Sequence, residues 1–177
     1  MAERTFLLEL TGPEHIERAA GCPDPGAFDT ELDDVRSVLG ALCEVLASVD
    51  GISFVAQGFD DAPWRATVGT DLAVALEQLP RTIQSLRARQ VTELEFYEQT
   101  LERAVDFSCK GDWVHLSCRS WASGWTPRRA TEEIPHAQAL GMLEDLRDSF
   151  IRLSRRACPE LAAHPWIVEW MAATRED

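Results

Sequence analysis

Lysine is almost absent from the sequence, and acidic residues far outnumber basic ones. Lys110 is the only lysine among 17 basic residues, and 30 acidic residues bring the net charge of the 177-residue chain to -13. Phosphate backbones and anionic lipids attract proteins mainly through Lys and Arg, so we expect neither nucleic-acid binding nor membrane-surface binding. The charge favours a basic protein as partner; the alternative is a surface that serves only solubility.

Long apolar runs are also missing. A membrane-spanning helix needs about 18 or more apolar residues, and the best segment, residues 35–49, is interrupted by Arg36 and Glu44. The first residues lead into an apolar run too short for a signal-peptide core, so we expect a cytoplasmic chain. Five cysteines form an odd set without a CxxC pair, and this pattern predicts free thiols and no disulfide framework.

The motifs of several enzyme classes do not occur. Neither GxxxxGK nor GxGxxG is present, which excludes a P-loop and a standard dinucleotide-binding site. The segment around Ser123 lacks the first glycine of a GxSxG nucleophile elbow. No cofactor is therefore predicted, and enzymatic activity stays uncertain, with a non-enzymatic role favoured.

Hydrophobic periodicity predicts four helices. A three-and-four spacing of apolar residues indicates helices over residues 32–49, with Thr30 and Asp33 as an approximate capping box, and over residues 72–86. Pro80 is expected to kink or split the second of these. Similar patterns predict a long helix over residues 136–157 and a short one around residues 166–171.

The remaining segments alternate or are rich in strand-forming residues, and they predict six strands. These cover residues 5–10, 52–57, 64–68, 92–99, 101–109 and 112–121, followed by a loop over 121–135. Strands grouped in runs, with helices between the runs, are typical of the α+β class. We therefore expect one domain over residues 1–177, with an antiparallel-rich sheet of about five to six strands and helices packed mainly on one face.

Strand parity sorts the residues of the last three strands between two faces. Apolar side chains such as Leu94, Val105 and Leu116 belong to the core face. The opposite face combines aromatic rings with charges, a composition typical of binding hot spots. Together with the following loop, it supplies the candidate binding residues Glu93, Glu95, Tyr97, Asp106, Trp113, His115, Arg119, Trp121 and Trp125.

Three interpretations of this face stay open. It is a solvated sheet face stabilised by cross-strand pairs such as Asp106 with Arg119 or with His115; it is a partner-binding surface; or it forms a small-molecule pocket with the 121–135 loop. The pocket would be lined by Tyr97, Trp113, His115, Arg119 and Trp125. Acid–base chemistry by Glu95, Asp106 and His115 is geometrically allowed.

A zinc site is the metal centre to consider, because Cys109, His115 and Cys118 lie within ten residues. Metal ligands must converge on one point. Parity places both cysteines toward the core and His115 on the opposite face, so no metal site is predicted. Adjacent acids such as Glu132 and Glu133 are expected to be solvated.

Small size, negative charge and the absence of a catalytic motif favour a protein-binding function. The specific hypothesis is an inhibitor or immunity-type antitoxin of a bacterial cytoplasm that occludes a basic partner. Acids of the outer face, or Glu31, Asp33 and Asp34 before the first helix, would meet the partner, with Trp113 and Trp121 as anchors. The alternatives are a small-molecule-binding protein or small enzyme, and a homo-oligomeric structural subunit; the oligomeric state is left open.

Overall fold

A computed structural model describes residues 5–59, 62–98, 101–122 and 125–175. Six strands and five α-helices lie in these ranges. The strands are β1 (Leu7–Thr11), β2 (Ser53–Gln57), β3 (Thr92–Phe96), β4 (Arg103–Lys110), β5 (Trp113–Ser120) and β6 (Thr131–Pro135). The helices are α1 (Val35–Ala47), α2 (Asp71–Arg87), α3 (His136–Ala157), α4 (Pro159–Ala162) and α5 (Pro165–Ala173), and a short 3-10 helix covers Pro25–Ala27.

The strands form two antiparallel sheets. β1 pairs with β2, and β3, β4, β5 and β6 form a four-stranded sheet in chain order. The α+β class is confirmed, whereas the prediction of one sheet of five to six strands is wrong. Among the described residues, no helix has the length and apolar character needed to cross a bilayer.

Two local predictions account for part of the difference. Residues 64–68 form no strand: the Trp64 amide donates one hydrogen bond to the Ala56 carbonyl, and its ring turns into the core. Conversely, the segment read as a loop over 121–135 contains β6. This strand pairs with β5, and it alternates between exposed side chains and the buried side chains of Glu132 and Ile134.

α1 begins later than the sequence pattern suggests. The Asp34 carboxylate caps it by accepting a hydrogen bond from the Arg36 amide at 2.8 Å. Asp34 therefore takes the capping role that was assigned to Thr30 and Asp33. The helix ends at Ala47, and Gly51 follows with a φ of 81°, in the left-handed region that favours glycine.

α2 runs without a break through Pro80, so the prediction that it splits there is wrong. Proline has no amide hydrogen, and the carbonyl four residues earlier, that of Leu76, loses its usual helical partner. The Trp170 indole Nε1 donates to this carbonyl at 2.9 Å. The proline thus leaves an acceptor on α2 to which a side chain of α5 binds.

Glu132 connects the two sheets. Its side chain points to the core face of β6, and only 7% of its surface is exposed. Its carboxylate accepts hydrogen bonds from the Phe6 amide at 2.6 Å and from the Phe59 amide. One carboxylate therefore holds the residue before β1 and the residues after β2 against β6, and the expectation that Glu132 is solvated is wrong.

The core lies between the helices and the inner sides of both sheets. Inward-facing residues of the four-stranded sheet belong to the same buried cluster as the apolar sides of α1, α2 and α3. Next to Glu132 this cluster is aromatic: the ring centroids of Phe6 lie 5.9–6.2 Å from those of Phe59, Trp64 and Phe107. Gly58 is required here, because a Cβ atom at this position would lie 2.8 Å from the Phe6 Cα.

The bond between Trp170 and the proline-freed carbonyl is testable by a double-mutant cycle. Trp170→Phe leaves the Leu76 carbonyl without its donor and should lower the free energy of unfolding by about 1–3 kcal/mol. In a Pro80→Ala background, the new backbone amide at position 80 donates a hydrogen bond to the Leu76 carbonyl. Trp170→Phe should then lower the free energy of unfolding by clearly less. Urea unfolding of the four proteins measures the difference; equal costs in both backgrounds would contradict this account.

The role of Glu132 predicts an asymmetry between two adjacent acids. Glu132→Gln keeps the shape of the side chain, but it replaces one acceptor oxygen by an NH2 group. This group cannot accept a hydrogen bond, so one of the two backbone amides loses its partner. We expect a loss of about 1–3 kcal/mol in the free energy of unfolding. The control is Glu133→Gln, whose exposed side chain should contribute less than about 1 kcal/mol. Chemical denaturation compares the two, and similar losses would show that Glu132 does not join the sheets.

Candidate functional site

The outer face of the four-stranded sheet is the side opposite the core. It consists of the strand residues Glu93, Glu95, Ala104, Asp106, Ser108, Lys110, Trp113, His115, Ser117, Arg119, Thr131, Glu133 and Pro135. All of these except Ala104 are at least partly exposed to solvent. The register confirms the predicted sorting between an apolar face and a mixed face for residues 92–96, 103–110 and 113–120, whereas Gln99, also assigned to the mixed face, lies outside the described residues.

Arg119 organises the centre of the outer face. It pairs across β5 and β4 with Ala104, which is fully buried although it lies on this side. The guanidinium binds Asp106 through Nε and Nη2, at 2.8 and 3.1 Å, and binds Glu93 through Nη2 at 2.8 Å. Ser117 donates a further hydrogen bond to Asp106 at 3.3 Å. The predicted cross-strand pair of Asp106 with Arg119 is confirmed.

These contacts stabilise the charged forms of both groups. The hydrogen bond from Arg119 is the main reason that the pKa of Asp106 lies below its ordinary value of 3.8. The same bond raises the pKa of the Arg119 guanidinium. The centre of the outer face is therefore a preformed ion network at neutral pH, and the two carboxylates in it already have a cation.

His115 and Glu95 have separate partners. His115 Nδ1 lies 2.8 Å from Glu133 Oε1 on β6. The main chain of Glu95 is bound by the Gln78 side chain, whose amide nitrogen donates to the Glu95 carbonyl and whose oxygen accepts from the Glu95 amide. Because Asp106 binds Arg119, the acid–base group of Glu95, Asp106 and His115 is spread over three different contacts.

Half-exposed aromatic side chains lie at or just beyond the ends of the strands that form the outer face. Trp113 and Trp121 are 50% and 48% exposed, and Tyr97 is 47% exposed. Trp121 lies just after β5, where its amide donates to the Glu102 carbonyl. Trp113 begins the same strand at the opposite end, beside Pro135. At about 3.3 Å per residue, the backbone positions of the two tryptophans lie roughly 26 Å apart.

Tyr97 follows the end of β3 and is tied to α2. Its hydroxyl donates to Glu77 Oε1 at 2.5 Å. Burial, followed by the bond to Glu77, raises the pKa of Tyr97 to about 12. Tyr97 is therefore a neutral hydrogen-bond donor, and the bond fixes the orientation of its half-exposed ring.

Trp125 is separated from the other predicted site residues. Its ring lies over the Arg103 guanidinium, 3.4 Å from the centroid, and Trp64 faces the same group at 4.8 Å. Arg103 shares the core side of β4 with Val105 and is only 8% exposed. The structure thus brings Trp125 to the core side of the sheet, and it does not join Trp113, His115 or Arg119 in a pocket.

Two buried charged residues on the core side of the sheet, Arg103 and Glu132, were not predicted from the sequence. Parity alone contained the signal for Arg103, since it has the same parity as Val105 and Phe107. A cation is favourable there because it lies against two aromatic faces. Glu132 has no comparable signal, since its strand was not recognised.

Three cavities lie near these elements. A groove of about 620 Å³ lies between β1 and α3, and its walls include Leu8, Met142 and Arg152. A cavity of about 360 Å³ touches the outer face at β3, beside Arg81, Glu93 and Asp106. Another, of about 450 Å³, is lined by Glu95 and Tyr97 together with Glu77 of α2. None of these three is lined by Trp113, His115 or Arg119.

The three residues considered for zinc do not converge. Cys109 and Cys118 lie on the core side of the β4–β5 pair, and His115 lies on the outer face. Burial raises the pKa of Cys118 to about 11, which favours the neutral thiol. Within the described ranges, no group of three or more His, Cys, Asp or Glu side chains is placed to hold a metal ion.

Comparison of the chain with protein-family models, with curated proteins and with solved structures finds no significant match.

The Arg119 network predicts a pH-dependent contribution to stability. Since the pKa of Asp106 is lowered in the folded state, its contribution is present above pH 3.8 and is lost as the pH falls through the lowered value. Asp106→Asn should cost up to about 1 kcal/mol at pH 7, and nothing once the wild-type carboxyl is protonated. Urea unfolding of the wild type and of Asp106→Asn, at pH 7 and in strong acid, measures the difference in their free energies of unfolding at each pH.

Asp112→Asn is the matched control. The Asp112 side chain is 95% exposed, and its contact with Arg89 is long, at 3.5 Å. We expect no comparable change between the two pH values for this variant. If Asp106→Asn is still less stable than the wild type in strong acid, the contribution of Asp106 to stability is not electrostatic.

Proposed function

We propose that the protein binds another protein through the outer face and that the partner is basic. The observation that carries the proposal is the pair of half-exposed tryptophans at opposite ends of a solvent-open, charged sheet face. Exposed indoles supply large contact area at low entropic cost and are enriched in binding hot spots. Most large apolar side chains of this protein are buried, so the exposure of Trp113 and Trp121 needs a reason.

Charge supports a basic partner. Within the strands, the outer face has four carboxylates, those of Glu93, Glu95, Asp106 and Glu133, against the cations Arg119 and Lys110. The net charge of the whole chain, which includes these groups, is -13. Such a field accelerates the encounter with a cationic surface and weakens as salt is added.

The mode of action that we favour is occlusion. A rigid sheet face with fixed ion pairs suits a protein that covers the cationic cleft of an enzyme, as an inhibitor or immunity-type antitoxin does. The small-molecule alternative has less support, because Trp125 packs away from the outer face. A homo-oligomer that buries the tryptophans between copies is the remaining alternative.

The tryptophans should matter for binding and little for folding. Trp113→Ala and Trp121→Ala each remove a half-exposed ring, so the free energy of unfolding should change by less than about 1 kcal/mol. Chemical denaturation measures this effect. A loss of about 3–5 kcal/mol, typical of buried aromatic residues, would show that the rings are structural.

Binding is tested with a panel of purified cationic enzymes, including nucleases, each assayed for inhibition and for association at low and high salt. For a true partner, either tryptophan variant should weaken binding by about tenfold or more. Val168→Ala is the control, because Val168 is 50% exposed, as the two tryptophans are, and lies on α5 outside the sheet. If Val168→Ala and the tryptophan variants bind alike, the contact is bulk charge attraction and the proposed face is wrong.

Mass measurement in solution separates the homo-oligomer alternative. The proposal predicts a particle of one 19.8 kDa chain. A larger particle that dissociates in the Trp113→Ala and Trp121→Ala variants would assign the outer face to self-association. A melting temperature that rises with a metabolite mixture would instead support a pocket.

A further inference from the structure

Two cysteines that are far apart in the sequence meet where α3 ends. Cys22 lies in the irregular segment between β1 and α1, and Cys158 is the residue between α3 and α4. The Cys22 thiol donates to the Ala157 carbonyl at 3.2 Å and also lies 3.3 Å from the Ala19 carbonyl. Burial, and next the hydrogen bond with the Cys22 side chain, raise the pKa of Cys158 to about 12. The Cys22 thiol therefore lies against the backbone of the residue next to Cys158.

The surroundings of this pair hold the irregular segment onto the helices. The Ala19 amide donates to the Ala157 carbonyl at 2.8 Å, and Arg156 donates to the Glu14 carbonyl. Arg18 forms an exposed ion pair with Glu160 at 2.9 Å. These contacts keep Cys22 beside Cys158 in the folded chain, although more than 100 residues separate them.

The two thiols differ in access to solvent. Cys22 is partly exposed, whereas Cys158 is fully buried. A dissolved oxidant therefore meets Cys22 first, and Cys158 is placed to react second. Cys43 is buried in α1, and Cys109 and Cys118 lie in separate strands.

We propose that Cys22 and Cys158 form a reversible disulfide site whose co-reactant is a small disulfide of the glutathione type. The Cys22 thiolate attacks one sulfur of the small disulfide, and the first thiol leaves. The Cys158 sulfur then attacks that of Cys22, its proton passes to the departing sulfur, and the second thiol leaves. Two protein thiols are oxidised and one small disulfide is reduced to two thiols.

The bond would anchor the segment between β1 and α1 covalently to the α3–α4 junction. Because it closes a loop of more than 100 residues, it restricts the unfolded chain strongly. The two cysteines lie outside the outer face. The disulfide proposal can therefore fail or succeed independently of the proposed protein binding.

The test is incubation of the native, reduced protein with glutathione disulfide, followed by thiol counting and peptide mass mapping. We expect the five free thiols to fall to three, because two are consumed, with a peptide linking residues 22 and 158. The melting temperature should rise by about 5–15 °C and return after reduction by dithiothreitol. The same treatment of protein unfolded in urea is the comparison. If the folded contact directs the pairing, the link between residues 22 and 158 should be selective only in the folded protein.

Two single variants control the assignment. Cys22→Ser removes the partly exposed thiol and should abolish both the cross-link and the thermal shift. Cys109→Ser removes a thiol of similar exposure elsewhere and should leave both unchanged. Persistence of all five thiols, glutathione retained on Cys22 beside a reduced Cys158, or a cross-link between other cysteines would each overturn the proposal.

Discussion

The arrangement of the two sheets depends on one buried carboxylate. Glu132 extends from β6 into the core and binds the amides of Phe6 and Phe59. Phe59 has a φ of 59°, an unfavourable conformation for a bulky residue that persists only where its surroundings enforce it. The hydrogen bond to Glu132 and the aromatic packing around Phe6 supply that enforcement. A charged side chain thus does what a continuous ladder of strands would do in a single sheet.

This link explains why the sequence predicts the elements better than their assembly. The 136–157 helix has the predicted bounds, and the register of β3, β4 and β5 follows from alternation, because both depend on local periodicity. The division into two sheets depends on Glu132, a contact across more than 100 residues. β6 was missed because its alternation places a carboxylate inward, which reads as two adjacent solvated acids.

The candidate site shows the same limit. Parity places Glu93, Asp106 and Arg119 on the same face, and the predicted pair of Asp106 with Arg119 forms at 2.8 Å; the contact of Arg119 with Glu93 was not predicted. Parity has no meaning in a loop, so it gave no direction for Trp125, which packs against the buried guanidinium of Arg103. That guanidinium contacts the rings of both Trp125 and Trp64, and neither residue spacing nor composition predicts this arrangement. Side chains in regular strands were therefore predictable, and those that turn inward from irregular segments were not.

The internal pairing of the outer face also determines how it would bind. A basic partner must compete with Arg119 for Glu93 and Asp106, whose geometry is already satisfied. Replacing one ion pair by another yields little net free energy after desolvation. The centre of the face therefore contributes mainly to electrostatic steering, and affinity must come from the exposed rings at its ends. Because Trp113 begins β5 and Trp121 directly follows its end, about 26 Å away, a partner that engages both rings must span that distance.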